Sequence, residues 1–498
     1  MTDLHLSIRK SSIWMVVRLG ISLTAGAFVT TFIIRTLSVK DYGVYNVLYC
    51  LIGYVSMIGS FGIPSVFGRF IPEALQKKEY SLLRALILRG LILRVLLSTA
   101  IVGIILLLHG PIGHLLKLDG FLDYFCIMAF GIVMSLEASL LTNVLHSLFL
   151  HKYSVIASTI NTIFRGTCVF VLLKLGWGIP GVLWAEVASW TIWTFIQLFF
   201  YYLKFLRLHP DKANKSALPL RRYFRYGSLA IFNKVGGTIL GTSTDFFIIT
   251  AFLGPGAVAL YAFADRVIKI FGNFLPHVVL LDVITPSFMV KYSEKGNKQV
   301  LNDMFNLLVK VAAFSVFPFA AGMLLLGDKM ILIIFKPDYL AAEPIIWILV
   351  GCLVVNIIVR PANLVLQALE KIEVNLYSKI FAVYNLIVEL AVIQCFGVMG
   401  VALVTASASL MNGLFLYYFA KKYGSLSLDW RGLSVIAVNT VVMAAAIWPL
   451  RSFATGSASL ALVAIGGIAT YLLLSWVHKA FNSQESKLFT RCFPGSIS

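Results

Sequence analysis

SSIWMVVRLGISLTAGAFVTTFIIR, residues 11–35, is a run of apolar and small residues broken in its interior by one cation, Arg18. Wound as a helix at about 1.5 Å per residue, such a run crosses the roughly 30 Å hydrocarbon core of a bilayer. It is too long and too continuously apolar for a strand of a membrane barrel, where segments are about half that length and alternate apolar with polar. A cation at the centre of a membrane helix costs roughly 2.5–3.5 kcal/mol on insertion scales, so Arg18 needs a reason to be there. It also interrupts the apolar run, and no A-x-A-like site follows. The segment therefore reads as a span and not as a cleaved signal peptide.

The same pattern recurs along all 498 residues, of which 59% are hydrophobic and 13% charged. Soluble domains are only about 45–50% apolar. Fourteen spans are predicted: 11–35, 44–68, 85–109, 122–146, 154–175, 182–204, 226–252, 256–290, 301–326, 344–369, 375–396, 398–420, 431–450 and 458–478. The chain thus reads as an all-α polytopic membrane protein, with the eighth span tilted or broken near Pro276 or Pro286. An even number of spans places both termini on one side. Lys and Arg outside the spans concentrate on that side, most densely from Lys204 to Arg225, which makes both ends cytoplasmic by the positive-inside rule. The net charge of +19 is then a topology signal on an anionic leaflet, and no nucleic-acid partner is expected.

Sliding the chain by 216 residues sets the span at 11–35 on YGSLAIFNKVGGTILGTSTDFFIITAF, residues 226–252. Arg9 then falls on Arg225, Ser12 on Ser228, Arg18 on Lys234, Gly20 on Gly236, Ile33 on Ile249, Leu37 on Leu253 and Tyr45 on Tyr261. At an offset of 219, Gly178, Gly181 and Val182 match Gly397, Gly400 and Val401. Six spans separate the paired elements, so the copies enter the membrane from the same side, a parallel repeat of the kind transporters use to alternate access. The expected organisation is an N-terminal lobe of six spans over 1–206 and a cytoplasmic linker over 207–225. A C-terminal lobe of six spans over 226–420 follows, with two extra helices and a cytoplasmic tail over 421–498.

The extramembrane segments are too short for a separate domain. No GK dipeptide supplies a phosphate-binding loop and no HExxH supplies a metal site. The six cysteines show no metal-ligand spacing. No metal and no cofactor is expected. Any driving force must be an ion gradient, the membrane potential, a substrate gradient or a partner protein.

Charges inside the spans carry the functional signal. Arg18, Arg94, Arg165, Lys234, Arg266, Lys269, Lys310 and Arg360 lie deep, while Arg89 and Lys379 are close enough to span ends to snorkel. The repeat matches Arg18 with Lys234, about two turns into the first helix of each half, where both would line a central cavity. Arg266 and Lys269 share a helix face at i, i+3, whereas Asp265 points about 100° away and is free to meet another helix. Six acids accompany the cations: Glu137, Glu186, Asp245, Asp265, Asp282 and Glu389. Asp245, Asp265, Glu137 and Glu186 are the candidates for binding a coupling Na⁺ or H⁺. Trp177, Trp184, Trp190 and Trp193 read as interfacial belt or packing.

The stretches Leu37 to Tyr45 (LSVKDYGVY), Phe61-Gly62-Ile63, and Tyr261 to Phe288 with Ala264-Asp265-Arg266 and Thr285-Pro286-Ser287 resemble a known family. It comprises the polysaccharide repeat-unit flippases of the multidrug, oligosaccharidyl-lipid and polysaccharide exporter superfamily. The resemblance extends to about residue 480. It implies a transporter and not an enzyme, placed in the bacterial inner membrane. Its substrate would be an oligosaccharide repeat unit on undecaprenyl pyrophosphate, flipped from inner to outer leaflet for surface polysaccharide biosynthesis. Arg18, Lys234, Arg266, Lys269, Arg165 and Arg360 would hold the anionic headgroup. The last two spans, with the small residues Ala444 to Ala446, would border the polyprenyl tail. Lipid-linked oligosaccharide and membrane lipids are the implied partners, together with the polysaccharide polymerase and glycosyltransferases of the same pathway. The lipid II flippases share the Ala-Asp-Arg stretch but carry an arginine in the second span, and 44–68 here carries no charge, which sets the expected substrate apart from lipid II. Ion-coupled multidrug or small-molecule export, the activity of other members of the superfamily, is the alternative.

Overall fold

Apolar helices follow one another along the chain with short turns between them. The computed structural model describes residues 20, 23–118, 120–207, 221–225, 227, 228, 242–275, 298–478 and 481. Among these, ten helical segments are long and apolar enough to cross a membrane, and Leu23–Thr36 and Ser243–Leu253 are shorter apolar helices. The protein is an all-helical multi-pass membrane protein. Arg18, Lys234, Asp282, Pro276 and Pro286 lie outside the described residues, as does most of 207–225. The chain divides into two compact units, Met1–Ala259 and Leu260–Ser498.

The first unit holds α1 (Leu23–Thr36), α2 (Val39–Gly59), α3 (Ile63–Gln76), α4 (Tyr80–Leu107), α5 (His109–Leu115), α6 (Phe121–Ser147), α7 (His151–Lys174), α8 (Gly178–Tyr201) and α9 (Thr242–Leu253). Ser38 caps α2, its hydroxyl accepting from the Asp41 amide, and Asp41 places a negative charge in the first turn. The expected span 44–68 is in fact two helices, because the chain breaks at Phe61 and Gly62. Gly62 has φ +71°, and a Cβ there would lie 2.1 Å from the Gly227 carbonyl oxygen, so only glycine fits. Below that break Phe67, Phe70 and Ile71 pack on Leu83, Ile87 and Leu140. On α4 the exposed Leu88, Ile92 and Leu96, at i, i+4 and i+8, form an apolar stripe suited to lipid. Gly131 of α6 lets α8 approach closely, since a Cβ would lie 2.7 Å from Val187 Cγ2, the small-residue packing used between membrane helices.

The second unit holds most of α10 (Pro255–Gly272), then α11 (Lys298–Ile334), α12 (Glu343–Ala368), α13 (Ile372–Tyr377), α14 (Ile380–Gly424), α15 (Trp430–Leu450) and α16 (Ser457–His478). The segment α14 doubles back at Gly397, whose φ of 57° and ψ of −145° are not helical. Thr405 bonds Glu389 and Ser407 bonds Tyr384 across the bend, contacts impossible along one straight helix. Its two arms correspond to the expected spans 375–396 and 398–420. Leu301, Phe305, Leu308 and Ala312 of α11 pack on Ala362 and Val365 of α12 to form the apolar centre of this unit.

Candidate functional site

In the first unit a buried ion pair ties three helices together. Arg165 of α7 donates Nε to both carboxylate oxygens of Glu186 on α8 at 2.9 Å, and Nη2 to Oε1 at 2.6 Å. The Tyr45 hydroxyl on α2 donates to the same Oε1 at 2.9 Å and accepts from Arg165 Nη2 at 3.3 Å. Glu186 is wholly buried. The structure thus joins a proposed headgroup cation to a proposed coupling acid. In the same unit Arg94 of α4 and Glu137 of α6 are buried electrostatic neighbours. Arg94 Nε and Nη1 and Glu137 Oε1 make no hydrogen bond among the described residues. Asp245 is buried on α9.

In the second unit α10, α11 and α12 line a partly open cavity of about 320 Å³. Lys269, Asn273, Asn356, Arg360 and Asn363 supply its polar groups, and Ile268, Val316 and Ile357 part of its apolar wall. Asn356, Arg360 and Asn363 fall at i, i+4 and i+7 of α12, one helical face. Asp265, free on sequence grounds to meet another helix, has a partner on its own: Lys269 Nζ lies 2.7 Å from Asp265 Oδ2. Lys269 lines the cavity whereas Arg266, half-buried on the same helix, does not. Different residues of the same stretch, Phe271, Phe274, Phe314 and Phe319, line an apolar cavity of about 470 Å³ shared with Met443, Ile447, Ile468 and Leu472 of α15 and α16.

Two further polar constellations involve residues to which the sequence alone gives no role. Glu389, wholly buried in the first arm of α14, accepts from the Asn385 amide at 2.6 Å and the Thr405 hydroxyl at 3.1 Å. A buried carboxylate beside amide and hydroxyl oxygens is chemically suited to holding a proton or a small hard cation. Lys310 of α11, buried, pairs with Asp429, the residue that caps α15. The i, i+4 spacing of Asn385 and Glu389 was readable in the sequence, but Thr405 joins them only through the bend at Gly397.

Comparison with known proteins agrees with this architecture. The chain is 23% identical over 473 residues to a probable low-salt glycan biosynthesis flippase, Agl15, of Haloferax volcanii, covering 93% of this chain and 94% of the relative. Its fold is similar to that of the lipid II flippase MurJ in an inward closed conformation, with a TM-score of 0.72 at 17% identity over 97% of this chain and 98% of that one. It is also similar to an inward-facing multidrug resistance MATE family transporter of the MOP superfamily, with a TM-score of 0.67 at 14% identity over 84% of this chain and 98% of that one. Residues 8–280, more than half of the sequence, match the family model described as polysaccharide biosynthesis protein, and the chain belongs to that family.

Proposed function

We propose that the protein is a flippase that turns lipid-linked oligosaccharide repeat units from the inner to the outer leaflet by alternating access, with undecaprenyl pyrophosphate as the carrier. One observation carries this reading. A cavity with two cations and three amides and a separate apolar cavity are lined by different residues of α10 and α11 within one unit. That division of surface matches an amphiphile with an anionic, hydroxylated head and a hydrocarbon tail. Lys269 and Arg360, with Arg18, Lys234, Arg266 and Arg165, form the proposed headgroup set, and α15 and α16 border the tail. Asp245, Asp265, Glu137 and Glu186, together with Glu389, are the proposed proton- or cation-coupling acids.

The same reading takes the chain as fourteen spans in two parallel six-helix repeats plus two helices. It places lobe boundaries at 1–206 and 226–420 around a linker at 207–225, with both termini cytoplasmic in a bacterial inner membrane. The repeat draws support from two hairpin turns. Gly178 has φ 55° and Gly397 φ 57°, and three residues on, a Cβ at Gly181 would lie 2.8 Å from Trp177 Cβ and one at Gly400 2.8 Å from Phe396 Cβ. The similarity to the probable low-salt glycan biosynthesis flippase of Haloferax volcanii supports the class of substrate.

Proteoliposomes carrying a fluorescent undecaprenyl-pyrophosphate oligosaccharide test the proposal. Dithionite should quench the outer leaflet and then, only in vesicles with the protein, the remainder. Equal rates with and without protein would overturn it. Ion-coupled small-molecule export is the second reading, favoured by the Glu389, Asn385 and Thr405 cluster. Cation-dependent drug efflux from the same vesicles, with no movement of the glycan lipid, would select it.

A further inference from the structure

Three asparagines give the second-unit cavity its neutral polar wall. No side chain of Asn273, Asn356 or Asn363 bonds to protein among the described residues, and the Asn363 carbonyl oxygen is buried without a partner. Asn273 and Asn356 are exposed on the cavity wall with their amides available to a ligand, whereas the Asn363 carbonyl oxygen is buried, where an unsatisfied amide group is costly. Pro361 adds a further acceptor. It lies inside α12 and has no N–H, so the carbonyl of Ile357 loses its helical donor, and both residues line the cavity. Asp265 offsets much of the Lys269 charge, so the site is amide-rich and only moderately cationic. Its volume of about 320 Å³ is at the lower end of the roughly 300–1,000 Å³ of small-molecule pockets, room for a sugar unit and not for a whole oligosaccharide.

We infer that this cavity is a recognition subsite for one anionic sugar unit. The ring hydroxyls bond Asn273, Asn356, Asn363 and the Ile357 carbonyl, and a carboxylate or phosphate on the ring pairs with Arg360. The inference rests on the flippase reading and adds to it which part of the glycan this unit grips. It implies selection by sugar identity within the second unit, distinct from a charge-only grip on the pyrophosphate.

The test uses the full chain in nanodiscs and follows binding by calorimetry with three probes: glucuronate, glucose 1-phosphate and neutral glucose. At least one anionic probe should bind about tenfold or more tightly than glucose, as expected for a charge-assisted bond. Whichever of the two binds identifies the anionic group as carboxylate or phosphate. Arg360→Gln should abolish that preference. Asn356→Leu should weaken every sugar about equally. Gly272→Leu should block the cavity, because a Cβ at Gly272 meets nothing within 4 Å and a longer side chain grows into open space on the cavity wall. Retained binding in Gly272→Leu, or inorganic phosphate competing as well as glucose 1-phosphate, would overturn the inference. Each variant is first shown to elute and melt as the parent does. Wild-type flipping of the glycan lipid, measured in parallel, separates the two claims: flipping intact with the three variants indifferent to sugar sinks the subsite alone, and no flipping by the parent sinks the function.

Discussion

Lys310 of α11 and Asp429, which caps α15, form an ion pair in which the ammonium is buried and the carboxylate is partly exposed. Gly432 makes room for it, because a Cβ there would lie 2.4 Å from Lys310 Cε. One and two turns before Lys310, Asn306 and Asn302 hold the same connection: Asn306 Oδ1 accepts from the Asp429 amide and Asn302 Oδ1 from the Ser427 amide, both at 2.8 Å. Further along, Arg451 Nη2 lies 2.7 Å from Asp328 Oδ2. Later residues of α11 thus meet later residues beyond the start of α15, so the two helices run in the same direction. Tyr471 of α16 also bonds the Phe314 carbonyl at 2.9 Å. The last two helices are anchored to α11 by polar bonds as well as by apolar packing.

Asp429→Asn isolates the charge in that anchor, since asparagine can still cap α15. Removing one partner of a buried pair costs roughly 3–5 kcal/mol, and the exposure of Asp429 places the expected loss at the low end. Burial pushes the Asp429 carboxyl up, but bonds from Lys310 and the Gly432 amide outweigh it and hold the carboxyl below its usual range. A carboxyl depressed by folding contributes stability above its unfolded pKa, about 3.9, and loses it as pH falls through the folded value. Melting curves in detergent should show the parent losing stability in that acid window and Asp429→Asn flatter there. Identical pH profiles would remove the pair from the account of stability.

Glu186→Gln leaves Arg165 facing a neutral amide in a buried setting. We expect a large loss of thermal stability, on the order of 3 kcal/mol, and loss of glycan flipping. The double variant Arg165→Met with Glu186→Leu should regain much of the stability, because it removes both charges together. Its flipping activity assigns the arginine. Recovery makes Arg165 a brace between α2, α7 and α8, and persistent loss with normal melting makes it a contact for the headgroup.

The sequence made the helices legible because a bilayer leaves no other way to satisfy a backbone over some 25 apolar residues. The repeat paired Gly178 with Gly397, but the break at Gly62 fell inside the expected span 44–68, where two helices carry one continuous apolar run. Asp265 marks a limit: helical geometry permits both an i, i+4 partner and an outward one, and only the folded packing selects Lys269. Arg165 was visible as a deep cation, but Glu186 and Tyr45 are 21 and 120 positions away, beyond any spacing rule. The asparagines of the cavity were missed for another reason. Asn356 and Asn363 flank Arg360 on one face of α12 as neutral groups, which carry no anomaly in a hydropathy trace as a buried charge does.

Glu389→Gln tests whether the buried carboxylate serves coupling. Glutamine keeps the shape and the ability to accept from Asn385 and Thr405 but cannot bind a proton or carry a charge. Binding of the glycan lipid should stay within about threefold of the parent, less than a single kcal/mol. Stimulation of flipping by an imposed Na⁺ or H⁺ gradient should disappear. If the variant keeps its gradient dependence, Glu389 is a packing element and the coupling acid lies elsewhere.

Gly397→Ala addresses the hairpin on which the Glu389 and Thr405 contact depends. At φ 57° and ψ −145° the backbone is in a region that side chains avoid, at a cost of about 1–3 kcal/mol. Gly178, at φ 55°, is the matching turn between α7 and α8, where Arg165 meets Glu186. Alanine at either position should lower the melting temperature in detergent. Gly466→Ala is the control: it lies within α16 with nothing within 4 Å of an added Cβ, so alanine there should be neutral or stabilising by up to about 1 kcal/mol. The two hairpin variants should also separate in what they disturb. Strain at Gly397 acts on the Glu389 cluster and should blunt the gradient dependence of flipping, while strain at Gly178 acts on the Arg165 pair and should mimic Glu186→Gln. If Gly397→Ala melts with the control and keeps its gradient response, the bend is tolerant and the Glu389 contact is not held by it.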